Sequence, residues 1–209
     1  MSYIIVGLGN PGADYENTRH NTGRIVLEAF RIAKKFPDWE LDSNIKAFKS
    51  YGRIDNESVV LIEPETFMNK SGDAVGKTKD LKFKTVGRGK DKRIELNNLV
   101  VIHDDLDIPV GKFKISFNKS SGGHRGVQSI IKAVKTEAFI RVRVGISPVT
   151  PGGKLKKPRD EVAVDKHILG RFTADQLDTL KKLSKKISEA LSVFVTEGRE
   201  KAMSQQGSF

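Results

Sequence analysis

Two short polar segments carry side chains that could activate a water molecule. In the first, at residues 18–21, His20 stands beside a glycine-rich turn, and an imidazole can accept a proton from water near neutral pH. In the second, residues 103–107 read His-Asp-Asp-Leu-Asp and follow the strongest predicted strand of the chain. Because sites in α/β sheets form at strand ends, a carboxylate of this segment can orient an imidazole and stabilise the imidazolium. Together the two segments favour general-base hydrolysis.

Each segment also has a plainer interpretation. A single histidine more often makes a structural hydrogen bond, and Asp105 and Asp107 suit the turn that precedes Pro109. The same carboxylates and His103 could bind a cation, but no second histidine follows at the spacing of helical metal ligands. The residues alone therefore leave a catalytic site, a turn and a metal site open.

Two loops could bind an anion or line a cleft. Residues 120–126, Ser-Ser-Gly-Gly-His-Arg-Gly, form a glycine-rich loop that enters a predicted helix, and the backbone amides of such a loop can bind anions. Lys114 and Arg143 lie on the neighbouring predicted strands. The other loop, at 64–72, places the side-chain amide of Asn69 before a second helix. These features predict a polar cleft with a basic border.

A glycine pattern near the N-terminus matches a dinucleotide-binding motif. Residues 7–12 fit G-x-G-x-x-G and follow a predicted strand. Pro11 delays the helix that should begin at once, and Glu28, the acidic residue near the required spacing, lies within a predicted helix. The alternative is a tight turn that leaves Asn10 free to point into a cleft, and we favour this turn.

Composition narrows the class of protein. The chain has 209 residues, no cysteine, and 37 lysines and arginines against 26 aspartates and glutamates, a net charge of +11. The lack of cysteine excludes disulfides, thiolate metal sites and a thiol nucleophile. We expect neither a signal peptide nor a membrane span, since no apolar stretch approaches the roughly 20 residues required. Eight basic residues against one acid between residues 112 and 143 favour a nucleic-acid partner or a solvated basic surface.

Alternating strand and helix patterns predict an α/β fold with a mostly buried mixed sheet. Strands are predicted at 3–7, 46–53, 58–63, 98–103, 112–117 and 140–146, and helices at 22–35, 72–82, 127–134 and after a capping box at Thr173 and Gln176. Residues 84–95 and 148–163 are expected to be surface loops. No break in composition marks a second domain, so residues 1–209 are expected to form one domain.

Taken in order, the motifs resemble the bacterial-type peptidyl-tRNA hydrolase family. The resemblance covers nearly the whole chain and rests on the segments 7–23, 63–72, 103–115, 120–130 and 139–146. It implies a single α/β domain with a twisted mixed sheet flanked by helices. It also implies an enzyme that cleaves the ester joining a peptide to the 3′ end of tRNA.

The resemblance implies roles for particular residues. His20 corresponds to the catalytic base and Asp104 to the carboxylate that orients it, while Lys114 and Arg143 correspond to basic residues that meet the 5′ phosphate of tRNA. The residues expected to bind the substrate in the cleft are Asn10, Tyr15, Met68, Asn69, His124 and Arg125. Arg125 stands where the family has asparagine, and we expect it to add a phosphate contact, to pair with a surface acid or to line the cleft directly.

The resemblance further implies that no cofactor or metal takes part. It implies peptidyl-tRNA as the partner and a cytoplasmic monomer without a membrane anchor or an obligate protein partner. Neutral ester hydrolysis needs an activated water and a stabilised oxyanion, and the amides of Asn10 or Asn69 could donate to that oxyanion. The alternative, from another class of function, is an RNA-binding relative of the same fold that does not hydrolyse its ligand.

Overall fold

The computed structural model describes residues 2–158 and 160–205. Within these residues, strands β1 to β8 span Ser2–Gly7, Glu40–Asp42, Ala47–Ile54, Glu57–Pro64, Phe83–Val86, Arg93–Pro109, Phe113–Phe117 and Ala138–Ser147. Helices α1 to α6 span Thr22–Ala33, Ser71–Val75, Arg125–Val134, Glu161–Leu169, Ala174–Glu197 and Arg199–Ser204. The strands form one mixed sheet in the order β2-β3-β4-β1-β6-β8-β7, and β5 pairs with β6. This confirms the predicted α/β fold.

The four central strands β4, β1, β6 and β8 run parallel, and the outer strands β3 and β7 run antiparallel to their neighbours. Alternate apolar residues face opposite sides of the sheet, as Ile4 and Ile5 of β1 show. Ile5 belongs to a core with α1 and α5, while Ile4 belongs to a second core with α2 and α3. The carboxyl ends of the parallel strands therefore meet at one edge, where α/β folds place their sites.

Two glycines bring α1 against the end of β1. A Cβ atom at Gly7 would lie 2.6 Å from the carbonyl oxygen of Gly23, and a Cβ at Gly23 would overlap backbone atoms of Ile102 and Leu8. This close contact explains the start of the glycine pattern at 7–12 by packing. It also fixes the position of the short turn that precedes α1.

Several predicted boundaries differ from the structure. The helix predicted over 72–82 ends at Val75, because the chain then turns toward β6, where Asn98 Oδ1 accepts a hydrogen bond from the amide of Lys82. The expected loop at 84–95 is exposed, but it is mostly the β5–β6 hairpin, since β5 pairs with Arg93–Leu96. The second expected loop, 148–163, ends early because Asp160 caps α4, whose first residue is Glu161.

The C-terminal half of the chain behaves as its pattern predicts. Thr173 and Gln176 form a capping box at the start of α5, a helix of 24 residues. The apolar face of this helix packs on α1 and on the sheet. Across the described residues, no helix combines the length and the apolar character required to cross a membrane.

Candidate active site

Three polar side chains from separate elements meet at the carboxyl end of β6. His20 lies in a 3₁₀ turn directly before α1, Asp104 lies on β6, and His124 is the N-cap of α3. His20 Nδ1 is 3.0 Å from Asp104 Oδ1 and 3.2 Å from Oδ2. His124 Nε2 is 2.9 Å from Asp104 Oδ1. The predicted pair of His20 and Asp104 is thus in contact, and His124 shares the same carboxylate.

Asp104 is ionised in this arrangement. Burial by itself would raise the pKa of the carboxyl group, but the attraction of His20 and His124 and the hydrogen bonds from both rings outweigh it. They hold the pKa of Asp104 well below its usual range. A carboxylate can only accept hydrogen bonds, so both imidazoles donate to it. His20 therefore carries its proton on Nδ1, and in the neutral ring Nε2 keeps a lone pair.

The backbone of α3 fixes the tautomer of His124. Its Nδ1 accepts hydrogen bonds from the amides of Gly126, at 3.2 Å, and Val127, at 3.3 Å. A nitrogen that accepts cannot carry a proton, so the proton of the neutral ring is on Nε2, which faces Asp104. Protonating Nδ1 would break the cap of the helix. His124 consequently donates to Asp104 from Nε2 and has no free ring nitrogen.

A third histidine, His103, packs behind this group and was not assigned a role from the sequence. Its Nδ1 donates to the backbone carbonyl of Asp104 at 2.7 Å, and its ring meets the His124 ring edge to face at 4.7 Å. Burial, followed by the nearby His124 and Arg141, lowers the pKa of His103 well below its ordinary value. His103 is therefore a neutral, buried support for the His124 ring.

Two cavities meet at His20. One, of about 350 Å³, lies between the end of β6, the glycine-rich loop and α4, and includes Asp104 and His124 in its wall. The other, of about 430 Å³, continues past His20 toward the first turns of the chain. Its wall contains most of the predicted substrate-binding residues: Asn10, Tyr15, Met68, Asn69 and Arg125. The structure thus assembles one continuous cleft around the histidine.

Asn10 is held with its amide group at the wall of the cleft. Its side-chain Oδ1 accepts from the amide of Met68 at 2.8 Å, and its backbone exchanges two hydrogen bonds with the side chain of Asn21. Within the described chain, Nδ2 of Asn10 has no hydrogen-bond acceptor. Because Oδ1 is occupied, the free group is a donor, which is the type required beside a developing oxyanion.

The apolar part of the cleft includes Phe67, Ile168 and Leu169, which sequence reasoning missed. Phe67 is 56% exposed beside Asn69 and meets Tyr15 edge to face, with ring centroids 6.2 Å apart. Met68 is buried at 4% exposure and lies against Gly126, where a Cβ atom would overlap its sulfur. Met68 is both a core residue and a wall of the cleft. The sequence did contain a signal for Phe67, because this aromatic residue directly precedes Met68, which was predicted to line the cleft.

Arg125 bridges the glycine-rich loop and α4. Its Nη2 lies 2.7 Å from Glu161 Oε1 and 3.5 Å from Asp165 Oδ2, and its side chain is 52% exposed. The same side chain borders both cavities. In the structure Arg125 therefore pairs with surface acids and also lines the cleft, which were two of the three expectations for this residue.

Lys114 and Arg143 lie apart from the cluster of His20, Asp104 and His124. They are direct partners across the β7–β8 ladder, so their side chains share the sheet face that carries α3. Lys114 is exposed, and Arg143 donates to Asp105 Oδ2 at 2.7 Å. Neither lines the two cavities. The two basic side chains therefore lie together outside the cleft.

The cluster of His20, Asp104 and His124 also has the composition of a metal site. Ligand atoms of His20, Asp104 and His124 lie within 4.8 Å of one another. A metal needs an unprotonated ring nitrogen from each histidine. His124 Nε2 carries a proton because Nδ1 is used by the helix cap, so this ring cannot ligate a metal without uncapping α3. The chemistry of the donor set therefore does not fit a metal.

The fold and the site define an α/β enzyme with a histidine–carboxylate pair in an open cleft. A model of the peptidyl-tRNA hydrolase family matches residues 4–208, and this chain belongs to that family. It is 38% identical over 203 residues to the peptidyl-tRNA hydrolase of Caldanaerobacter subterraneus subsp. tengcongensis, covering 97% of this chain and 98% of that protein. It is 40% identical to the peptidyl-tRNA hydrolase of Thermodesulfovibrio yellowstonii over 96% of each chain.

A solved structure shows the same architecture. The peptidyl-tRNA hydrolase of Acinetobacter baumannii superposes with a TM-score of 0.80 at 25% identity, over 99% of this chain and 95% of that one. The family and the class of enzyme predicted from the sequence are therefore confirmed. The roles of individual side chains follow from the geometry above and are argued next.

Proposed function

We propose that this chain hydrolyses the ester between the peptide and the 3′ end of tRNA in peptidyl-tRNA, with His20 as the general base. The observation that carries this proposal is the hydrogen bond from His20 Nδ1 to the buried carboxylate of Asp104. It holds the ring in the tautomer whose Nε2 can accept a proton, on a residue that borders both halves of the cleft.

The reaction uses protein side chains alone. Water attacks the ester carbonyl carbon and gives its proton to His20 Nε2, while Asp104 stabilises the imidazolium. The carbonyl oxygen becomes an oxyanion, to which Asn10 Nδ2 donates. When the intermediate collapses, the bond to the tRNA 3′ oxygen breaks and that oxygen takes the proton from His20. The products are a free tRNA 3′-hydroxyl and a peptide carboxylic acid, which releases its remaining proton to the solvent and becomes a carboxylate.

The peptide and the tRNA of the substrate bind to separate surfaces of the protein. The cavity of about 430 Å³, with Tyr15, Phe67 and Met68 in its wall, accepts the peptide next to the ester. Lys114 and Arg143 bind the 5′ phosphate of the tRNA, with a salt dependence typical of phosphate contacts. We further propose that the chain acts in the cytoplasm as a single-domain monomer that needs no cofactor and no protein partner.

His20→Ala tests the proposal. The variant should lose hydrolysis of peptidyl-tRNA but keep its fold and its affinity for tRNA, because His20 lies on a short turn before α1 and belongs to neither apolar core. The assay follows release of free peptide, with circular dichroism and tRNA binding as controls. A variant within about tenfold of the wild-type rate would refute the role of His20. A wild-type chain that binds tRNA without hydrolysing the ester would instead be the RNA-binding relative.

A further inference from the structure

A second concave surface lies on the side of α4 that faces away from the cleft. This cavity, of about 650 Å³, is called the basic pocket here, and its polar wall consists of Arg19, Lys154, Lys156, Lys157, Lys166 and His167. None of the described residues that line it is an aspartate or a glutamate. Five permanent cations facing one concave surface repel one another, so the pocket is suited to an anion.

Most cations of the basic pocket have no protein counter-charge. Lys157 pairs with Asp107 at 2.5 Å, but Lys154, Lys156 and Lys166 make no ion pair with any carboxylate in the described chain. The catalytic cleft on the other side of α4 is different, because Arg125 there is paired with Glu161. The lysines of the basic pocket thus lack the carboxylate partners that Arg125 has on the cleft side of the helix.

Arg19 supplies the most buried charge of the pocket. Its guanidinium lies near two neutral acceptors, the carbonyl of His167 at 3.4 Å and Oε1 of Gln176 at 3.2 Å. Its Nε is buried and has no hydrogen-bond partner among the described residues. Burial also lowers the pKa of this guanidinium. A partly buried cation without a carboxylate is stabilised when an anion binds beside it.

Lys154 and Lys156 lie in a segment that backbone hydrogen bonds hold in a defined conformation. Val149 and Leu155 form an antiparallel bridge. The amide of Thr150 donates to the carbonyl of Lys154 at 2.8 Å, and the amide of Lys156 donates to the carbonyl of Pro148 at 2.8 Å. These hydrogen bonds hold the two lysines at the mouth of the pocket before any ligand arrives, which reduces the entropy that binding must overcome.

The basic pocket lies next to the cavity that contains His20. Arg19 is adjacent to His20 in the chain, and Lys157 borders both the basic pocket and the cavity that contains the catalytic group. An anion in the pocket is therefore close to the reacting end of the substrate. In a substrate with an RNA body, the anion available there is the phosphodiester of the nucleic acid.

We propose that the basic pocket binds a phosphodiester group of the RNA part of the substrate, separately from Lys114 and Arg143. The proposal rests on the proposed function, because the substrate must carry RNA. Two parts of the RNA could supply the phosphate: the single-stranded 3′ end that enters the cleft, or the duplex behind it. Lysines bind phosphate as point charges and read no base, so the contact strengthens binding for every tRNA.

The test compares the double variant Lys154→Gln/Lys156→Gln with the matched pair Lys90→Gln/Lys92→Gln. The control lysines are exposed and lie at the β5–β6 hairpin, at the opposite end of β6 from Asp104. Three substrates carry the same peptide: full peptidyl-tRNA, a peptidyl trinucleotide with the sequence CCA, and a peptidyl adenosine without a phosphodiester. For each variant, kcat/KM for peptidyl-tRNA and kcat/KM for the peptidyl trinucleotide are each divided by the kcat/KM of the same variant for peptidyl adenosine.

The Lys154→Gln/Lys156→Gln pair should lower this ratio, and the Lys90→Gln/Lys92→Gln pair should not. Two contacts to single-stranded phosphates contribute about 1.4 to the slope of log affinity against log salt concentration. A fourfold rise in salt should therefore lower the RNA affinity of the wild type about sevenfold more than that of the variant. A loss on both RNA substrates assigns the phosphate to the 3′ end, and a loss on full tRNA alone assigns it to the duplex. Unchanged ratios and salt slope would overturn the proposal, while wild-type hydrolysis would still support the proposed function.

Discussion

Asp104→Asn is the sharpest perturbation of the catalytic group, because it removes one charge and keeps the shape of the side chain. Asp104 Oδ1 accepts from both rings, at 3.0 Å from His20 and 2.9 Å from His124, whereas Oδ2 accepts from His20 alone at 3.2 Å. An asparagine that keeps its oxygen at Oδ1 turns its NH₂ group toward His20 Nδ1. His20 Nδ1 would keep the acceptor at Oδ1 but would also face the NH₂ group from the Oδ2 position, so the tautomer with its proton on Nδ1 would be held less firmly.

The size of the effect follows from the lost charge. An imidazolium and a carboxylate whose charges are about 4 Å apart attract by about 4 kcal/mol in a protein environment of intermediate dielectric. This attraction exists only while His20 holds the proton from water, so its loss raises the barrier. At about 1.4 kcal/mol per factor of ten, kcat should fall about 10³-fold. Substrate binding should change little, since Asp104 is buried and donates nothing to the substrate.

Single-turnover hydrolysis of peptidyl-tRNA measures the rate, and tRNA binding with circular dichroism checks the variant for intact structure. The double variant His20→Ala/Asp104→Asn is the decisive control. If Asp104 acts through His20, the double variant should be no slower than His20→Ala alone. A loss in Asp104→Asn of less than about tenfold, or full additivity in the double variant, would refute the coupling of the two residues.

Three other side chains give measurable expectations. Lys114→Ala removes an exposed cation, so KM for full peptidyl-tRNA should rise and the salt slope should fall by about one, and an equal loss on peptidyl adenosine would contradict a phosphate role. Arg125→Asn breaks an exposed pair with Glu161, so stability should fall by about 1 kcal/mol or less while hydrogen exchange in α4 becomes faster. Unchanged exchange would show that the pair does not hold α4. Burial raises the pKa of Glu63 from 4.5 to about 7. The folded state therefore keeps a proton that the unfolded chain has released, and the wild type should lose about 3 kcal/mol of stability as pH rises through this window. Glu63→Gln should remove that loss, and urea unfolding at about pH 5 and pH 8 checks it: parallel pH dependences would show that Glu63 is not the group responsible.

The sheet was predictable where strands are buried on both faces. Continuous apolar runs such as residues 98–103 identify a central parallel strand from sequence alone. The structure extends this strand to Arg93–Pro109, although its two ends are polar. Those ends become strand because β5 and β8 supply hydrogen-bond partners for their backbone groups. A pattern read along one chain segment contains no information about such partners, so the ends were missed.

The site was predictable only in part. His20 and Asp104 are 84 residues apart, and nothing in the local spacing of either shows that they touch. The order of the motifs supplied that pairing through the family resemblance. The partners of Arg125 could not be found this way, since Glu161 and Asp165 lie on α4, which begins inside a segment expected to be a loop. The role of His103 likewise depends on packing against another ring.

One carboxylate shared by two histidines raises the question of which ring offers a free nitrogen to water. His124 offers none, because its Nδ1 accepts from the amides of Gly126 and Val127 at the start of α3 and its Nε2 donates to Asp104. His20 has no such constraint, since its Nδ1 already donates to Asp104 and its Nε2 is free to take a proton. The helix cap thus makes one donor permanent and leaves His20 as the ring that can accept a proton. The asymmetry of the pair is set by backbone hydrogen bonds rather than by the histidines themselves.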